Sequence, residues 1–321
     1  AEQLHEDSEL KPRDDGYWPA YIVKAGGMTR MAVTLQVDVT DSSGGKESDL
    51  AALEAAWIRV HYFAYGPHGR TPQAQHVVLP LQFPAPPAPD QLAWRRVEGA
   101  DIEVAALPTH LLCHMDDPIS IVQKYALPYA SPGDIIAFGE SPLALMQGRF
   151  RHPAMVKPGI IARLACLCFH PTSSLATACG MQALVDVVGA WRVASAVLLG
   201  IIGRIIRQRG VFYRVAGDQA ALIDDVTGTL PPYDQFICLG PARSKETCDK
   251  VKEATGIDMA VVDVNDLTVR TGAVRILGAS DGVDPTVLRK ALRTNPAGNA
   301  DEQTPLVLIR RLTAPSDDLL S

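Results

Sequence analysis

The stretch 235–264, QFICLGPARSKETCDKVKEATGIDMAVVDV, decides the fold. Residues 235–239 predict a strand, and Gly240-Pro241 predicts a turn after it. Ser244 is expected to cap a helix that ends at Gly256, and residues 259–264 predict the next strand. A strand, a crossover helix and a strand in about thirty residues are typical of a parallel β-α-β unit. The sequence therefore predicts that 235–239 and 259–264 pair in parallel.

The same alternation extends outward on both sides of this unit. Asp117-Pro118 and Asp284-Pro285 each supply an N-cap followed by proline at the first helical position, so each predicts the start of a helix. The apolar runs 135–138 and 305–309 predict two further strands. The C-terminal two thirds of the chain is therefore predicted to be α/β.

The N-terminal hundred residues have a different pattern. Residues 31–39 and 57–65 predict strands, and 47–56 between them predicts a helix. Four prolines in 83–90 predict a stiff linker, because proline donates no backbone hydrogen bond. We therefore expect a β-rich extension over 1–100, an α/β domain over 101–313 and a flexible tail over 314–321.

Composition narrows the classes of function. The 321 residues carry a net charge of −6, which gives no general field to attract nucleic acid. The six cysteines follow no disulfide pattern, and the first residues are acidic and polar, unlike an export signal. These features predict a cytoplasmic protein with reduced thiols.

The most apolar stretch, 193–203, is too short to span a membrane. It predicts a buried helix. Because Arg204, Arg207 and Arg209 cluster at its end, an interfacial helix at a membrane surface is the alternative interpretation.

No phosphate-binding Gly-x-x-x-x-Gly-Lys-Ser/Thr motif and no His-Glu-x-x-His motif occurs in the chain. Carboxylate and carboxamide side chains concentrate instead in three turns, at 216–225, 262–267 and 295–304. Such oxygen ligands suit Mg²⁺ or Mn²⁺ together with phosphate. The alternative is that Asp and Asn stand there only because they favour turns.

Cys166, Cys168 and His170 would share one face if 164–170 were a strand, and could then bind a soft metal. A full set of four ligands is missing from the surrounding sequence, so buried cysteines that pack as small apolar side chains are the favoured interpretation.

Several short motifs follow one another between residues 107 and 312. They are Pro132-Gly133-Asp134-Ile135-Ile136, Gln147-Gly148-Arg149, Ala216-Gly217-Asp218, Val261-Val262-Asp263 and Gly298-Asn299-Ala300-Asp301-Glu302. In this order and spacing they resemble the coenzyme F420-0:γ-glutamyl ligases. The resemblance implies an α/β (α+β) fold with a mixed sheet of that family's type, and a homodimer.

The resemblance also implies an activity. In that family GTP, or here alternatively ATP, with Mg²⁺ or Mn²⁺ activates a small-molecule carboxylate as an acyl phosphate, and an amino acid such as glutamate then forms the amide. Site residues are implied by position: Asp218, Asp263 and Asn299 at the metal, Arg149 and Asp266 in catalysis, and Arg270, Arg275, Asn295 and Arg310 at the nucleotide or other anionic groups. Asp266 is also the alternative to Asp263 at the metal, because the alignment can slip there.

The chain departs from the family's pattern after the strand 135–138. Gly139-Glu140-Ser141 stands where the family has Thr-Ser-Lys, so a lysine is lost. The second hypothesis is therefore a catalytically inactive relative that acts as a binding or assembly module.

Overall fold

The structure is a computed structural model that describes residues 2–5, 8–10, 29–32, 52–66, 69–226, 230–264, 274–298 and 302–312. The chain divides into two compact units, residues 1–53 and 54–321. The predicted boundaries at residues 100 and 313 stay predictions, and the predicted tail 314–321 lies outside the described residues.

The first unit contains an antiparallel sheet of three short strands, β1 (Glu2–His5), β2 (Ser8–Leu10) and β3 (Thr29–Ala32). Their order is β2-β1-β3. The predicted strand 31–39 thus begins as expected in β3, and its remaining residues lie outside the described part of the chain.

The second unit contains ten strands among its described residues. They are β4 (Ala55–Gly66), β5 (Gly69–Pro80), β6 (Arg95–Arg96), β7 (Ile102–Leu107), β8 (Ile135–Gly139), β9 (Phe150–Arg151), β10 (Ile237–Cys238), β11 (Asp258–Asp263), β12 (Arg275–Ala279) and β13 (Leu306–Arg311). Strands β4 and β5 form a long hairpin. The hairpin's first strand begins at Ala55, so the end of the helix predicted over 47–56 is wrong, and 47–51 lie outside the described residues.

Eight α-helices are present in the described residues of this unit. They are α1 (Pro118–Tyr125), α2 (Glu140–Met146), α3 (Ile160–Ala165), α4 (Ala178–Val188), α5 (Ala190–Ile205), α6 (Val211–Ala216), α7 (Ser244–Thr255) and α8 (Pro285–Leu292). The caps predicted at Asp117 and Asp284 are confirmed, whereas the cap predicted at Ser244 is wrong, because Ser244 is already the first residue of α7 and Arg243 precedes it as the N-cap. The Asp117 side chain accepts a hydrogen bond from the Ser120 N–H, and the Asp284 side chain accepts one from the Thr286 N–H.

A mixed six-stranded sheet organises the second unit, in the order β12-β11-β8-β13-β7-β6. Strand β8 is parallel to β11 and antiparallel to β13. Alternate residues of β8 serve two cores: Ile136 and Phe138 pack with α1 and α7, whereas Ile135 and Ala137 pack with α8. Because both faces are covered, β8 is continuously apolar. The predicted α+β fold with a mixed sheet is confirmed.

The predicted pairing of 235–239 with 259–264 is wrong. Residues 237 and 238 form β10, which pairs antiparallel with β9 in a separate ribbon, while β11 takes β8 as its parallel neighbour. The helix between them ends at Gly256 as expected, in a left-handed conformation that favours glycine (φ 76°). The segment makes a strand-helix-strand order without making one β-α-β unit, because β10 and β11 belong to different sheets.

Helices α3 to α6 form a third apolar core of their own, with Met181 and Leu184 of α4 and Val193 and Ala196 of α5 fully enclosed. Cys166 and Cys168 lie in a short 3₁₀ turn after α3 and not on a strand; Cys166 is buried and Cys168 exposed. The metal interpretation requires both side chains on one face, and in the structure they do not share one.

The helix predicted over 193–203 is confirmed, but the prediction that it is buried is wrong for one of its faces. Only one face of α5 is enclosed, and Leu198, Ile202 and Ile205 are exposed on another. Among the described residues, no single helix is long and apolar enough to cross a membrane. Helices α4 and α5 taken together would be long and apolar enough, but a bend of 115° lies between them.

Candidate functional site

A cavity of about 580 Å³ opens at the edge of the sheet where β8 and β11 end. Gly139 of β8 pairs with Val262 of β11 in the parallel register. The next residues, Glu140 and Asp263, therefore emerge side by side at this edge and both line the cavity. Ligand sites in α/β sheets commonly lie beyond the carboxyl ends of parallel strands.

Three carboxylates converge on this cavity from separate parts of the chain: Glu140, Asp224 and Asp263. Asp224 is held by two backbone hydrogen bonds to Cys238 of β10, 3.0 and 2.8 Å long. Ser141, in the first turn of α2, hydrogen bonds its carboxylate. The β9–β10 ribbon thus brings Asp224 to the two strand ends.

Burial and the neighbouring carboxylates raise the pKa values of Glu140 and Asp224. Burial, with the charges of Asp263 and then Asp224, raises the pKa of Glu140 to about 9, against which Arg275 acts. Burial and the charge of Asp263 likewise raise the pKa of Asp224 to about 6. At neutral pH, Glu140 therefore carries a proton while Asp224 is largely ionised.

One oxygen of this cluster has an unusual environment. Glu140 Oε2 is buried and has no hydrogen-bond partner among the described residues. A buried polar atom without a partner costs free energy, so natural structures usually provide one. A cation that entered the cavity would satisfy this oxygen and offset the repulsion among the carboxylates.

The predicted metal residue Asp218 does not line this cavity. Its side chain is 90% exposed and forms an ion pair of 3.1 Å with Arg275. The predicted residue Arg275 opens β12 opposite Asp263 and acts electrostatically on Glu140. Of these two, Arg275 is therefore the one that acts on a carboxylate of the cavity, Glu140.

Asn295 and Asp263 are the two predicted site residues that line the cavity among those described. Asn295 adopts a left-handed conformation (φ 48°), and its Nδ2 donates to the Gly298 carbonyl oxygen at 2.8 Å. The cavity wall at 295–298 is therefore a closed turn.

Arg149 and Arg310 are engaged elsewhere in the fold. The Arg149 Nε–H donates to the Gly240 carbonyl oxygen, and a second nitrogen of its guanidinium donates to Gln219. Arg310 makes a two-pronged contact with buried Asp134 and stacks over Trp94 with 4.3 Å to the ring centre. Neither arginine lines the cavity, and both guanidinium groups are engaged in hydrogen bonds within the fold.

The remaining predicted site residues, Asp266, Arg270 and Asn299, lie outside the described residues. Sequence reasoning did not select Glu140 or Asp224 as site residues. Asp224 follows Asp218 by six positions in the same acidic turn, and only the pairing with β10 tells them apart. Glu140 directly follows an apolar strand parallel to β11, a signal that depends on knowing the strand order.

His110 forms part of the cavity wall, and both of its ring nitrogens are occupied. Nδ1 lies 2.8 Å from the Tyr125 hydroxyl and Nε2 lies 3.1 Å from Asp116. Desolvation acts to raise the pKa of Asp116, but hydrogen bonds from His110 and the Cys113 N–H hold it below its usual value. This network joins the cavity wall to α1 and leaves no ring nitrogen for a substrate.

The donor set suits a divalent cation that arrives with phosphate. Within the described ranges, no three His, Cys, Asp or Glu side chains are already arranged as a metal site. Mg²⁺, however, commonly takes only one or two protein carboxylates and completes its shell with phosphate oxygens and water. Asp224 and Asp263, with Glu140 beside them, provide that number of hard oxygen ligands.

Comparison with known proteins gives one positive result. Residues 2–83, about a quarter of the chain, match the family model described as F420-0:gamma-glutamyl ligase, N-terminal Ig-like domain. A search of curated proteins finds no match to the chain. The matched segment runs from β1 to β5, whereas the motifs that carry the sequence resemblance lie in 107–312. The chain thus resembles the F420-0:gamma-glutamyl ligases over its N-terminal segment, residues 2–83.

Proposed function

We propose that the chain is an amide ligase of the F420-0:gamma-glutamyl ligase type, which uses GTP or ATP with Mg²⁺ or Mn²⁺ to join an amino acid, such as glutamate, to a small-molecule carboxylate. One observation carries the proposal: three carboxylates, of which Glu140 and Asp224 have raised pKa values, line one cavity where two parallel strands end. The family match at residues 2–83 supports it independently.

The reaction consists of two transfers. A carboxylate oxygen of the first substrate forms a bond to the terminal phosphorus of the nucleotide, and the bond to the leaving nucleoside diphosphate breaks. The amine nitrogen of the second substrate then bonds to the acyl carbon, phosphate leaves with the former carboxylate oxygen, and the amine loses a proton. A bound divalent cation would supply charge neutralisation at the phosphates.

The residues of this chain have distinct parts in that scheme. Asp224 and Asp263 would hold the cation, and Arg275 would supply positive charge near Glu140. Glu140 would give up its proton on cation binding, because the charge of the cation would act against the burial and the carboxylate repulsion that raise its pKa. The apolar wall, which includes Leu112, Val262 and Leu292, keeps water from the reactive anhydride.

Calorimetry with Mn²⁺, with and without GTP or ATP, tests the proposal. We expect binding of Mn²⁺ with nucleotide to the unaltered chain, and a loss of more than about 100-fold in Asp224→Asn and in Asp263→Asn. Direct ligands should cost more than the roughly 10- to 100-fold typical of their outer partners. No binding under any of these conditions would contradict the proposal.

Asp218→Asn decides between the two assignments of the metal residue. The cavity favours Asp224, so Asp218→Asn should change Mn²⁺ affinity by less than about threefold, as expected for an exposed ion pair. A loss in Asp218→Asn equal to that in Asp224→Asn would instead restore the assignment made from sequence.

The second candidate is a catalytically inactive relative that serves as a binding or assembly module. Two observations favour it: Arg149 and Arg310 are used by the fold, and the family's lysine is absent at 139–141. It predicts normal folding in all three variants and no release of phosphate from GTP or ATP with glutamate and carboxylate substrates. Release of phosphate that requires Asp263 would exclude it.

A further inference from the structure

Helix α5 exposes an apolar stripe along its whole length. Trp191, Leu198, Ile202 and Ile205 follow one another at steps of seven, four and three residues, which places them on one face of a helix. Trp191 is 84% exposed and Ile205 is 76% exposed. We call these four residues the α5 stripe.

The fold does not require the α5 stripe. The opposite face of the helix, with Val193, Ala196 and Gly203, is enclosed in the core of α3 to α6. Helix α6 approaches so closely that a Cβ at Gly203 would lie 2.5 Å from Val211 Cγ2. The helix is therefore fixed by one face, while apolar side chains on the other remain in water. Exposed apolar surface of this kind marks a docking site.

The charge around the stripe indicates what docks. Residues 187–217 contain no Asp or Glu but five arginines, Arg192, Arg204, Arg207, Arg209 and Arg214, in a chain whose net charge is −6. Arg204, Arg207 and Arg209 are exposed, and none of the three forms an ion pair within the described residues. The occupant must therefore be apolar in its interior and negatively charged at its surface.

A bilayer that contains anionic lipid has both properties. A second copy of the chain would offer no negative charge, since a two-fold interface uses the same surface patch on both copies and residues 187–217 contain no Asp or Glu. We infer that the α5 stripe and the arginines at its end seat the protein on an anionic membrane surface, with the stripe at the acyl boundary and Arg204, Arg207 and Arg209 among the headgroup phosphates.

The helix lies on the membrane and does not cross it. Helix α4, the partner with which α5 would have to form a span, buries Met181, Ala183 and Leu184 in the core of α3 to α6. A straightened pair would open that core, and the bend of 115° between the helices holds α5 to one side of it. The surface orientation keeps every buried contact intact.

Vesicle flotation with the full chain tests the inference. We expect flotation with phosphatidylcholine vesicles that contain about 30% phosphatidylglycerol, and at least about tenfold weaker binding to phosphatidylcholine alone. The double variant Ile202→Gln/Ile205→Gln and the triple variant Arg204→Gln/Arg207→Gln/Arg209→Gln should each lose at least about tenfold. Met115→Gln, which removes an equally exposed apolar side chain elsewhere, should float like the unaltered chain.

Tryptophan fluorescence gives a second, independent measurement. The emission of the protein should shift to shorter wavelength on anionic vesicles, and Trp191→Phe should abolish the shift. Equal flotation of the double variant and the unaltered chain would overturn the inference. So would a dimer, measured by light scattering without lipid, that Ile202→Gln/Ile205→Gln dissociates, because a second copy would then cover the stripe.

Discussion

The cavity and the α5 stripe depart from the usual distribution of side chains in opposite directions. At the cavity, carboxylates are drawn inside the protein, where burial and mutual repulsion raise the pKa of Glu140 to about 9. At the stripe, apolar side chains are exposed to solvent, although their burial would have stabilised the fold. Both arrangements cost stability in the isolated chain, so both are explained best by something that binds.

A third region shows how the fold treats a buried charge that it keeps for structure. Asp134 is only 3% exposed, yet Arg310 contacts both of its carboxylate oxygens, and the Ser131 N–H donates a further hydrogen bond. Glu140 Oε2 has no such partner among the described residues. The difference between a paired and an unpaired carboxylate separates the structural site from the candidate functional one.

Removal of the structural partner should have the largest effect on stability. Arg310→Ala leaves Asp134 buried without its cation, which should lower the free energy of unfolding by about 3 to 5 kcal/mol in urea denaturation. The matched control is Arg311→Ala, because the neighbouring pair of Arg311 with Asp284 is largely exposed and should matter far less. Equal losses in the two variants would contradict a structural role for the Arg310–Asp134 pair, as would unchanged stability with lost nucleotide binding in Arg310→Ala.

Substitutions at two adjacent positions in α5 should differ in how much they lower the free energy of unfolding. Gly203→Val forces a side chain against Val211 and should lower the free energy of unfolding by about 2 kcal/mol. Ile202→Gln, on the exposed face, should change it by less than about 0.5 kcal/mol. Urea denaturation measures both. A large loss in Ile202→Gln would mean that the stripe is needed for folding.

The proton on Glu140 should appear as a pH dependence of stability. Below its ordinary pKa of 4.5 the carboxyl group is protonated in the folded and the unfolded chain alike. As the pH rises towards 9 only the unfolded chain loses the proton, so the unaltered protein loses stability by at most about 1.4 kcal/mol per pH unit. Glu140→Gln should therefore raise Tm by at least about 2 °C at pH 8 relative to its effect at pH 5.

Measurements with Mn²⁺ provide a second test of the protonation of Glu140. Mn²⁺ with nucleotide should raise the Tm of the unaltered chain at pH 8 and raise that of Glu140→Gln much less, because the amide carries no charge to neutralise. Calorimetry in two buffers of different ionisation enthalpy should also detect about one proton released when Mn²⁺ binds at pH 7.5. A difference in Tm that is the same at pH 5 and pH 8 would show that Glu140 is ionised throughout.

Local signals in the sequence predicted the elements well. The Asp-Pro pairs at 117 and 284 predicted α1 and α8, and the apolar runs predicted β8 and β13, because caps and continuous burial act over a few neighbouring residues. Partner strands could not be predicted in this way. Whether 259–263 pairs with 237–238 or with 135–139 depends on contacts more than a hundred residues apart.

The candidate site shows the same limit. Asp263 and Asn295 were predicted and line the cavity, since each stands in a polar turn beside a predicted strand or helix. Asp218 and Asp224 are equally acidic in sequence, and only the contact with Cys238 places the second at the cavity. Apolar composition likewise predicted helix α5, but not that one apolar face would be left exposed by the described residues.

The position of β13 has a consequence for synthesis of the protein on the ribosome. This strand is the last described element of the chain, yet it lies between β7 and β8 and hydrogen bonds to both. Until residues 306–311 leave the exit tunnel, β7 and β8 each expose an unpaired edge, while α3 to α6 already have every residue of their own core. The helical layer can therefore consolidate during translation, whereas the sheet that carries Glu140 and Asp263 must wait for release of its central strand.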